Sequence, residues 1–393
     1  MRILFVAMND SVHTARWISQ ITDQGWELYL FPVQQRYPHP LLRNITVFGA
    51  TARRAPYLDK SVRYIRRASI PFYWDVKEGQ IKHQASNKHK ETALRRVIKS
   101  IKPDMIHTLE LQHAGYLTLN VKKKFSGKFP AWVATNWGSD IFLYGTIAEH
   151  QQPIREVMRN CDYYSCECQR DIQLARNMGF QGQVLPVWPN AGGLKIEYAV
   201  SFRQPGPVSN RKTIILKGYQ GKFGRALVAF QAFRLCQKML KNYTIIVYSA
   251  SEETSAAARL FMRETGIAVQ IVRKSTHEEI LSLFGKARIY VGLSISDGIS
   301  TSLLEAMVMG AFPIQTCTAC ADEWIAEGQS GFIVPPEDPA LIADAIRRAL
   351  ADDTLVDRAA AINARTAAER LDYFAIKPQV IKMYRDIFAS LKK

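Results

Sequence analysis

Residues 296–307 read SDGISTSLLEAM, with two acids, Asp297 and Glu305, separated by seven residues. Asp297 precedes a glycine and a run of small hydroxylated residues, and Glu305 falls about one turn into a helix-like segment. Carboxylates accept hydrogen bonds from hydroxyl groups, while a helix N-terminus offers unpaired N–H groups and partial positive charge to an anion. Gly298 lets a ligand approach the backbone without a Cβ in the way. Ser300, Thr301 and Ser302 can cap the helix or donate to phosphate oxygens. Together with Ile299 they form a candidate donor-binding turn for a sugar nucleotide, phosphates at the helix start and hydroxyl groups at each carboxylate. The structural alternative is specific. Ser302-x-x-Glu305 is also a capping box, and Asp297-Gly298 an ordinary turn dipeptide.

LKGYQGKFGR (216–225) has a strand before it and a helix after it. Lys217, Lys222 and Arg225 bracket a loop with Gly218, Gly221 and Gly224, and lysine charge beside a glycine-rich backbone suits a diphosphate. In the first half of the chain, Asp10 and His13 occupy a strand-to-helix turn. His107 lies within the strand-like MIHTLEL, where a buried, satisfied histidine competes with a ligand role. TNWGSDIF places Trp137 and Asp140 at a third strand end, with Trp137 suited to stacking on a sugar ring. These five residues are candidates for acceptor or sugar contact. Cys317-x2-Cys320 finds no partner pair at zinc spacing, and the chain has no Walker loop, no G-x-S-x-G elbow and no G-x-G-x-x-G in its first turn.

Short apolar runs alternate with helix-period segments along most of the 393 residues, which predicts α/β architecture with parallel sheets covered by helices. RILFVAM, ELYLFPV, MIHTLEL, WVATNW and DYYSCEC read as strands of a first domain, 1–200. SFRQPGPVSNR (201–211) carries two prolines, a glycine and no apolar period, and reads as a linker. The pattern restarts in 212–370 with TIILK, TIIVYS, IYVGLS, FPIQT and GFIVPP, and 371–393 reads as a helix returning to the first domain. The expected fold is two doubly wound Rossmann-like domains facing a central cleft, with ligands at the strands' carboxyl ends. No apolar stretch approaches the roughly 20 residues of a membrane span. Six irregularly spaced cysteines point to a reducing compartment, the cytoplasm. The net charge is +17, and residues 52–102 hold 14 Lys/Arg against 4 Asp/Glu, a density that points to an anionic partner. Within it, VRYIRRASIPFYW (62–74) interleaves cations and aromatics as a membrane interface does, against the alternative of a basic amphipathic helix packed on the first domain.

The stretch SISDGISTSLLEAMVMGAFPI (294–314) resembles the acid-x7-acid motif of glycosyltransferase family 4, retaining enzymes of the two-domain GT-B fold. LKGYQGKFGRALVAF, EWIAEGQSGFIVPPEDPALIADAI and, upstream, NDSVHTARW match in order, so the resemblance spans the chain. It implies that Asp297 contacts the donor sugar, with Asp standing where the family usually has Glu. It also implies that Glu305 binds the ribose hydroxyls, and that an Arg and a Lys from Lys217, Lys222 and Arg225 stabilise the departing nucleotide. Arg273, in the loop to Ser275, is expected near the nucleobase.

The implied activity is transfer of a hexosyl or N-acetylhexosaminyl group, with retention and without a bound metal or other cofactor. The donor is a nucleotide-diphosphate sugar, UDP-sugar favoured over GDP-sugar. The acceptor is a glycan or lipid-linked hydroxyl in surface glycan synthesis, at the inner face of an anionic membrane, with no nucleic acid involved. The rival readings are a GT-B sugar-nucleotide epimerase and a non-catalytic nucleotide-sugar or nucleic-acid binding module.

Overall fold

The structure, a computed structural model, describes residues 1–34, 36–49, 54–66, 80–273 and 275–392, the side chains of 66 and 80–87 aside. The chain divides into two compact units, Met1–Gly192 with Ile376–Lys393, and Gly193–Ala375.

The first unit contains β1 (Arg2–Ala7), β2 (Glu27–Pro32), β3 (Thr46–Gly49), β4 (Arg63–Arg66), β5 (Met105–Leu109), β6 (Ala131–Thr135), β7 (Tyr163–Ser165) and β8 (Gln183–Val184). They form one parallel sheet in the order β4-β3-β2-β1-β5-β6-β7-β8. β1 is apolar on both faces, as a strand covered by helices on each side must be, and Ile3 to Ala7 are buried. The helix Tyr373–Ser390 turns Ile376, Val380, Met383, Tyr384 and Ile387 into the same apolar cluster as Trp17, Ile18 and Leu28. Of the basic 62–74 stretch, Arg63–Arg66 is the edge strand β4, a correction to the amphipathic-helix alternative there, and 67–74 lie outside the described residues.

The second unit carries β9 (Thr213–Lys217), β10 (Thr244–Tyr248), β11 (Val269–Val272), β12 (Ile289–Gly292), β13 (Phe312–Thr316) and β14 (Phe332–Val334), parallel in the order β11-β10-β9-β12-β13-β14. Residues 201–211 lie inside this unit. Ser209 donates its hydroxyl to Asp357 at 2.7 Å, and the buried Arg211 guanidinium donates to the carbonyls of Ala287 and Met309 at 3.1 and 2.9 Å. The prolines and glycine leave the segment only a short 3-10 helix, Val208–Asn210, and its polar side chains tie it down.

Each sheet reverses its winding once. In the first the reversal lies between β1 and β5; in the second it lies between β9 and β12. Where successive connections leave on opposite faces, a crevice opens at the carboxyl ends of the two strands. Those four strand ends hold most of the residues singled out above.

Candidate functional site

In the second unit, Lys217 ends β9 and the SDGIST turn follows β12, its neighbour in the sheet. The two loops are fastened together. Gly224 and Ser294 form an antiparallel bridge, Arg225 N–H donates to the Leu293 carbonyl at 2.9 Å, and Ile295 N–H donates to Phe223 at 3.2 Å. This brings the Lys217 ammonium to 3.4 Å from the Ser300 hydroxyl oxygen and 4.9 Å from the Tyr219 ring centre. Lys222 lies further along the same loop, its Nζ 5.8 Å from the Phe223 ring centre. Two of the loop's glycines are required by packing. A Cβ on Gly224 would stand 2.4 Å from the Tyr219 carbonyl oxygen, and one on Gly218 would stand 2.7 Å from the Ala250 Cα.

Arg225 is committed elsewhere than the sequence led us to expect. Its Nε donates to Glu337 at 2.6 Å, and its Nη1 donates to the Gly221 and Gly224 carbonyls at 2.6 and 3.1 Å. The five donors of a guanidinium suit such stapling. Arg225 holds the loop, and the two lysines are left as its diphosphate candidates.

The helix Thr301–Met309 starts at Ser300, whose side chain makes no capping bond, so the Ser302–Glu305 capping box is not formed. From Ser302 to Met309 every residue is buried. A carboxylate in such a helix needs a polar partner, because an unpaired buried charge is strongly disfavoured. Glu305 finds it in His277, whose Nε2 lies 2.8 Å from Oε1. His277 opens the helix His277–Lys286, capped by Thr276 in a reciprocal box with Glu279. Asp297 is half-buried at the turn's mouth and accepts from the Gly298 N–H at 3.1 Å. Gly298, Ile299 and Ser300 are buried, Thr301 partly so. Arg273 is exposed, just beyond the end of β11.

In the first unit, Ser11 caps the helix Val12–Ser19 by accepting from the His13 N–H at 3.2 Å, and Asp10 pairs with Arg36 at 2.8 Å. The His13 ring lies 5.8 Å from that of Trp137, inclined by 60°. The Trp137 indole N–H is buried with no hydrogen-bond partner among the described residues. Asp140 is a correction to the sequence expectation. It is buried, and its Oδ2 accepts from the backbone N–H groups of Leu111 and Trp137 at 3.1 and 3.0 Å. Burial, and Glu110 nearby, push its carboxyl well above the usual carboxylate range. It ties the turn after β6 to the turn after β5.

His107 is also corrected. It is fully buried, with Nδ1 2.6 Å from the Tyr384 hydroxyl and Nε2 2.6 Å from the Thr135 hydroxyl. Burial lowers its pKa to about 3, so it is a neutral strut of the core.

The same strand leads to a pair for which we made no assignment. Glu110 is buried at φ 81°, ψ 155°, where side chains are rarely tolerated, at the start of a short π-helix, Leu111–Gly115. Its carboxylate accepts from the His113 N–H, the Ala114 N–H and the His113 ring, the last at 3.1 Å. That bond raises the His113 pKa, and the imidazole edge reaches solvent. His113 and Asp10 therefore share the winding reversal of the first sheet. The acid in MIHTLEL was visible in sequence; its backbone angle and its partner were not.

A sequence model of group 1 glycosyl transferases matches residues 202–367, and a glycosyl transferase 4-like model matches residues 71–165. The chain belongs to the GT-B glycosyltransferases of the family 4 type. A GDP-mannose:cellobiosyl-diphosphopolyprenol alpha-mannosyltransferase of Komagataeibacter xylinus is 26% identical over 191 residues, 47% of this chain and 48% of that protein. The chain thus matches about half the length of that relative. Among solved GT-B structures, sucrose-phosphate synthase of Thermosynechococcus elongatus superposes with a TM-score of 0.74 at 15% identity, over 99% of this chain and 100% of the other. Anabaena HepE in complex with UDP-glucose gives 0.68 at 13%, over 98% and 100%. The group 1 match contains Lys217, Lys222, Asp297 and Glu305, and the fold likeness spans both units. Among the described residues of this glycosyltransferase, no helix is long and apolar enough to cross a membrane.

Proposed function

We propose that this protein transfers a sugar from a nucleotide-diphosphate donor to a hydroxyl acceptor, with retention at the anomeric carbon. One observation carries the reading. At the winding reversal of the second sheet, Lys217 meets the N-terminal turn of the Thr301–Met309 helix, and a buried carboxylate lies one turn behind it. Cation, helix N-terminus and carboxylate are the three chemistries that a nucleoside diphosphate needs.

Glu305 takes the ribose hydroxyls, and Asp297 takes a hydroxyl of the donor sugar. Lys217, Lys222 and the backbone N–H groups of 298–302 receive the charge that builds on the diphosphate as the glycosidic bond breaks. Such donors are already oriented before the reaction, so stabilising that charge costs little reorganisation. No metal has a role in this scheme. The transferred group is a hexosyl or N-acetylhexosaminyl residue, and UDP is the favoured carrier, as HepE with UDP-glucose supports. The GDP-mannose named for the Komagataeibacter relative makes GDP the second choice.

The first unit supplies the acceptor side, through His13, Asp10 and the unpaired indole N–H of Trp137. The acceptor is a glycan or lipid-linked hydroxyl in surface glycan synthesis. The basic 52–102 segment holds the enzyme at an anionic membrane surface on the cytoplasmic face.

The test is thermal unfolding with saturating UDP, GDP and ADP, on the wild type and on Glu305→Ala. A ligand at 100 times its dissociation constant that binds only the native state adds about 2.7 kcal/mol. One nucleotide stabilising the wild type and not the variant supports the reading and selects the donor class. No shift with any nucleotide would return the motif to a well-packed helix and favour a non-catalytic role.

A further inference from the structure

Glu305 sits where a carboxylate is hard to keep. Every residue from Ser302 to Met309 is buried, and the side chains around it are largely apolar, Leu303, Leu304 and Met307 among them. An acid in such a place swings toward whatever donor it can find, and its rotamer is set by that donor. The donor here is the His277 ring, with Nε2 2.8 Å from Oε1. Among the described residues, none is in hydrogen-bond contact with Oε2. The two oxygens of one carboxylate are therefore divided, one held by the protein and one open.

The imidazole is itself held. His277 is the first residue of its helix, directly after the Thr276 cap. The Thr276 hydroxyl accepts from the Glu279 N–H at 3.2 Å, and the Glu279 carboxylate accepts from the Thr276 N–H at 2.8 Å. One residue on, Glu278 accepts from the Tyr198 hydroxyl at 3.3 Å. This pins the same turn of helix to the neighbouring Ile196–Val200 helix. A ring anchored at a doubly tied helix start makes a firm support for a carboxylate 28 positions later in the chain.

We propose that His277 is a positioning residue for nucleotide binding. By donating Nε2–H to Oε1, it fixes the Glu305 rotamer and aims Oε2 at the ribose diol of a nucleoside diphosphate. This rests on the reading of Glu305 as the ribose ligand. It predicts that donor affinity depends on a side chain that never touches the reacting atoms. Removing the ring takes away the donor to Oε1, so the Glu305 side chain is free to turn away from the ribose. That change weakens acceptance of a ribose hydroxyl.

The experiment is titration calorimetry with UDP and GDP on the wild type, Glu305→Ala, His277→Ala and His277→Gln, each checked for folding by its thermal transition. For the nucleotide that binds the wild type, His277→Ala is expected to raise Kd about tenfold, the loss of one charge-assisted hydrogen bond. His277→Gln, whose amide can donate from nearly the same place, should recover most of that loss. Glu305→Ala should lose binding by about a hundredfold or more.

If Glu305→Ala loses binding while His277→Ala binds as the wild type does, the positioning role is overturned and the ribose role of Glu305 stands. Equal weakening in His277→Ala and His277→Gln would also overturn it, since packing and not donation would then be at stake. If Glu305→Ala binds as the wild type does, the ribose reading fails and takes this inference with it.

Discussion

The Lys217 ammonium lies 3.4 Å from the Ser300 hydroxyl, 83 positions further along the chain, and their meeting joins the two halves of the proposed phosphate site. The distance is long for a strong bond, which leaves the ammonium able to turn to a better acceptor. β9 and β12 are hydrogen-bonded neighbours, so the contact follows from the sheet order and not from local sequence.

Lys217→Met should therefore cut turnover of the nucleotide-sugar more than it cuts binding. Loss of one charge-stabilising donor typically costs about 10²–10³ in kcat. Nucleotide affinity should fall by only about tenfold, because the helix N-terminus and Lys222 still meet the phosphates. Steady-state release of nucleotide from the sugar donor, alongside calorimetric Kd values, separates the two effects. Equal losses in both would make Lys217 a plain binding residue.

Arg225→Gln is the contrasting variant. The native side chain spends its donors on Glu337 and on the Gly221 and Gly224 carbonyls. The change should destabilise the unit by about 1 kcal/mol and loosen the loop. Turnover should fall several-fold, well short of the Lys217→Met effect. A loss as deep as that of Lys217→Met would show that the guanidinium meets the diphosphate directly.

How much of this was legible beforehand differs residue by residue. The second half of the chain announced itself, since TIILK, IYVGLS and SLLEAMVMG have the periods of a buried strand, a buried strand and a buried helix, and each forms. That placed Lys217 and Asp297 at strand ends without any structure. Partners did not follow from the same logic. Glu337 lies 112 positions from Arg225, and Tyr384 lies 277 from His107. Periodicity gives a residue's face but not the side chain opposite, and for these residues the opposite side chain decides between ligand and strut. The linker reading of 201–211 failed similarly. Composition gave no apolar period there, and it could not reveal the short 3-10 helix Val208–Asn210 or that Arg211 and Ser209 bond across to other elements.

His107 gives the protein a built-in acid sensitivity. Its pKa falls from 6.5 to about 3 on folding, because burial penalises the imidazolium. Between those values the unfolded chain binds the extra proton and the native state does not, so stability rises with pH across the window. The contribution is complete above about pH 6.5 and is lost as pH falls toward 3, with a ceiling on the order of 5 kcal/mol. His107→Gln keeps a polar side chain that does not titrate. Denaturant unfolding from pH 7 to pH 4 should show a smaller loss of stability in the variant than in the wild type. Parallel losses would remove His107 as a source of the acid sensitivity.

Glu110 poses the sharper question, because its backbone is held in a region that glycine prefers. A conformation of this kind costs about 1–3 kcal/mol, and such residues cluster at functional sites. Three bonds offset it here, from the His113 and Ala114 N–H groups and the His113 ring. Glu110→Gly would relieve the backbone and drop the carboxylate, whereas Glu110→Gln keeps the strain and weakens acceptance. If the acid serves only to cap the π-helix, the two changes partly cancel in Glu110→Gly, and its melting temperature should lie at or above that of Glu110→Gln. If the acid also orients His113 toward a ligand, both variants should lose turnover at saturating donor, whatever their stability. Their His113 pKa should also drop back toward the ordinary histidine value, since Glu110 is what raises it. Proton NMR titration of the His113 ring reads that shift directly. An unchanged titration in Glu110→Gly would show that the pair is not coupled in solution.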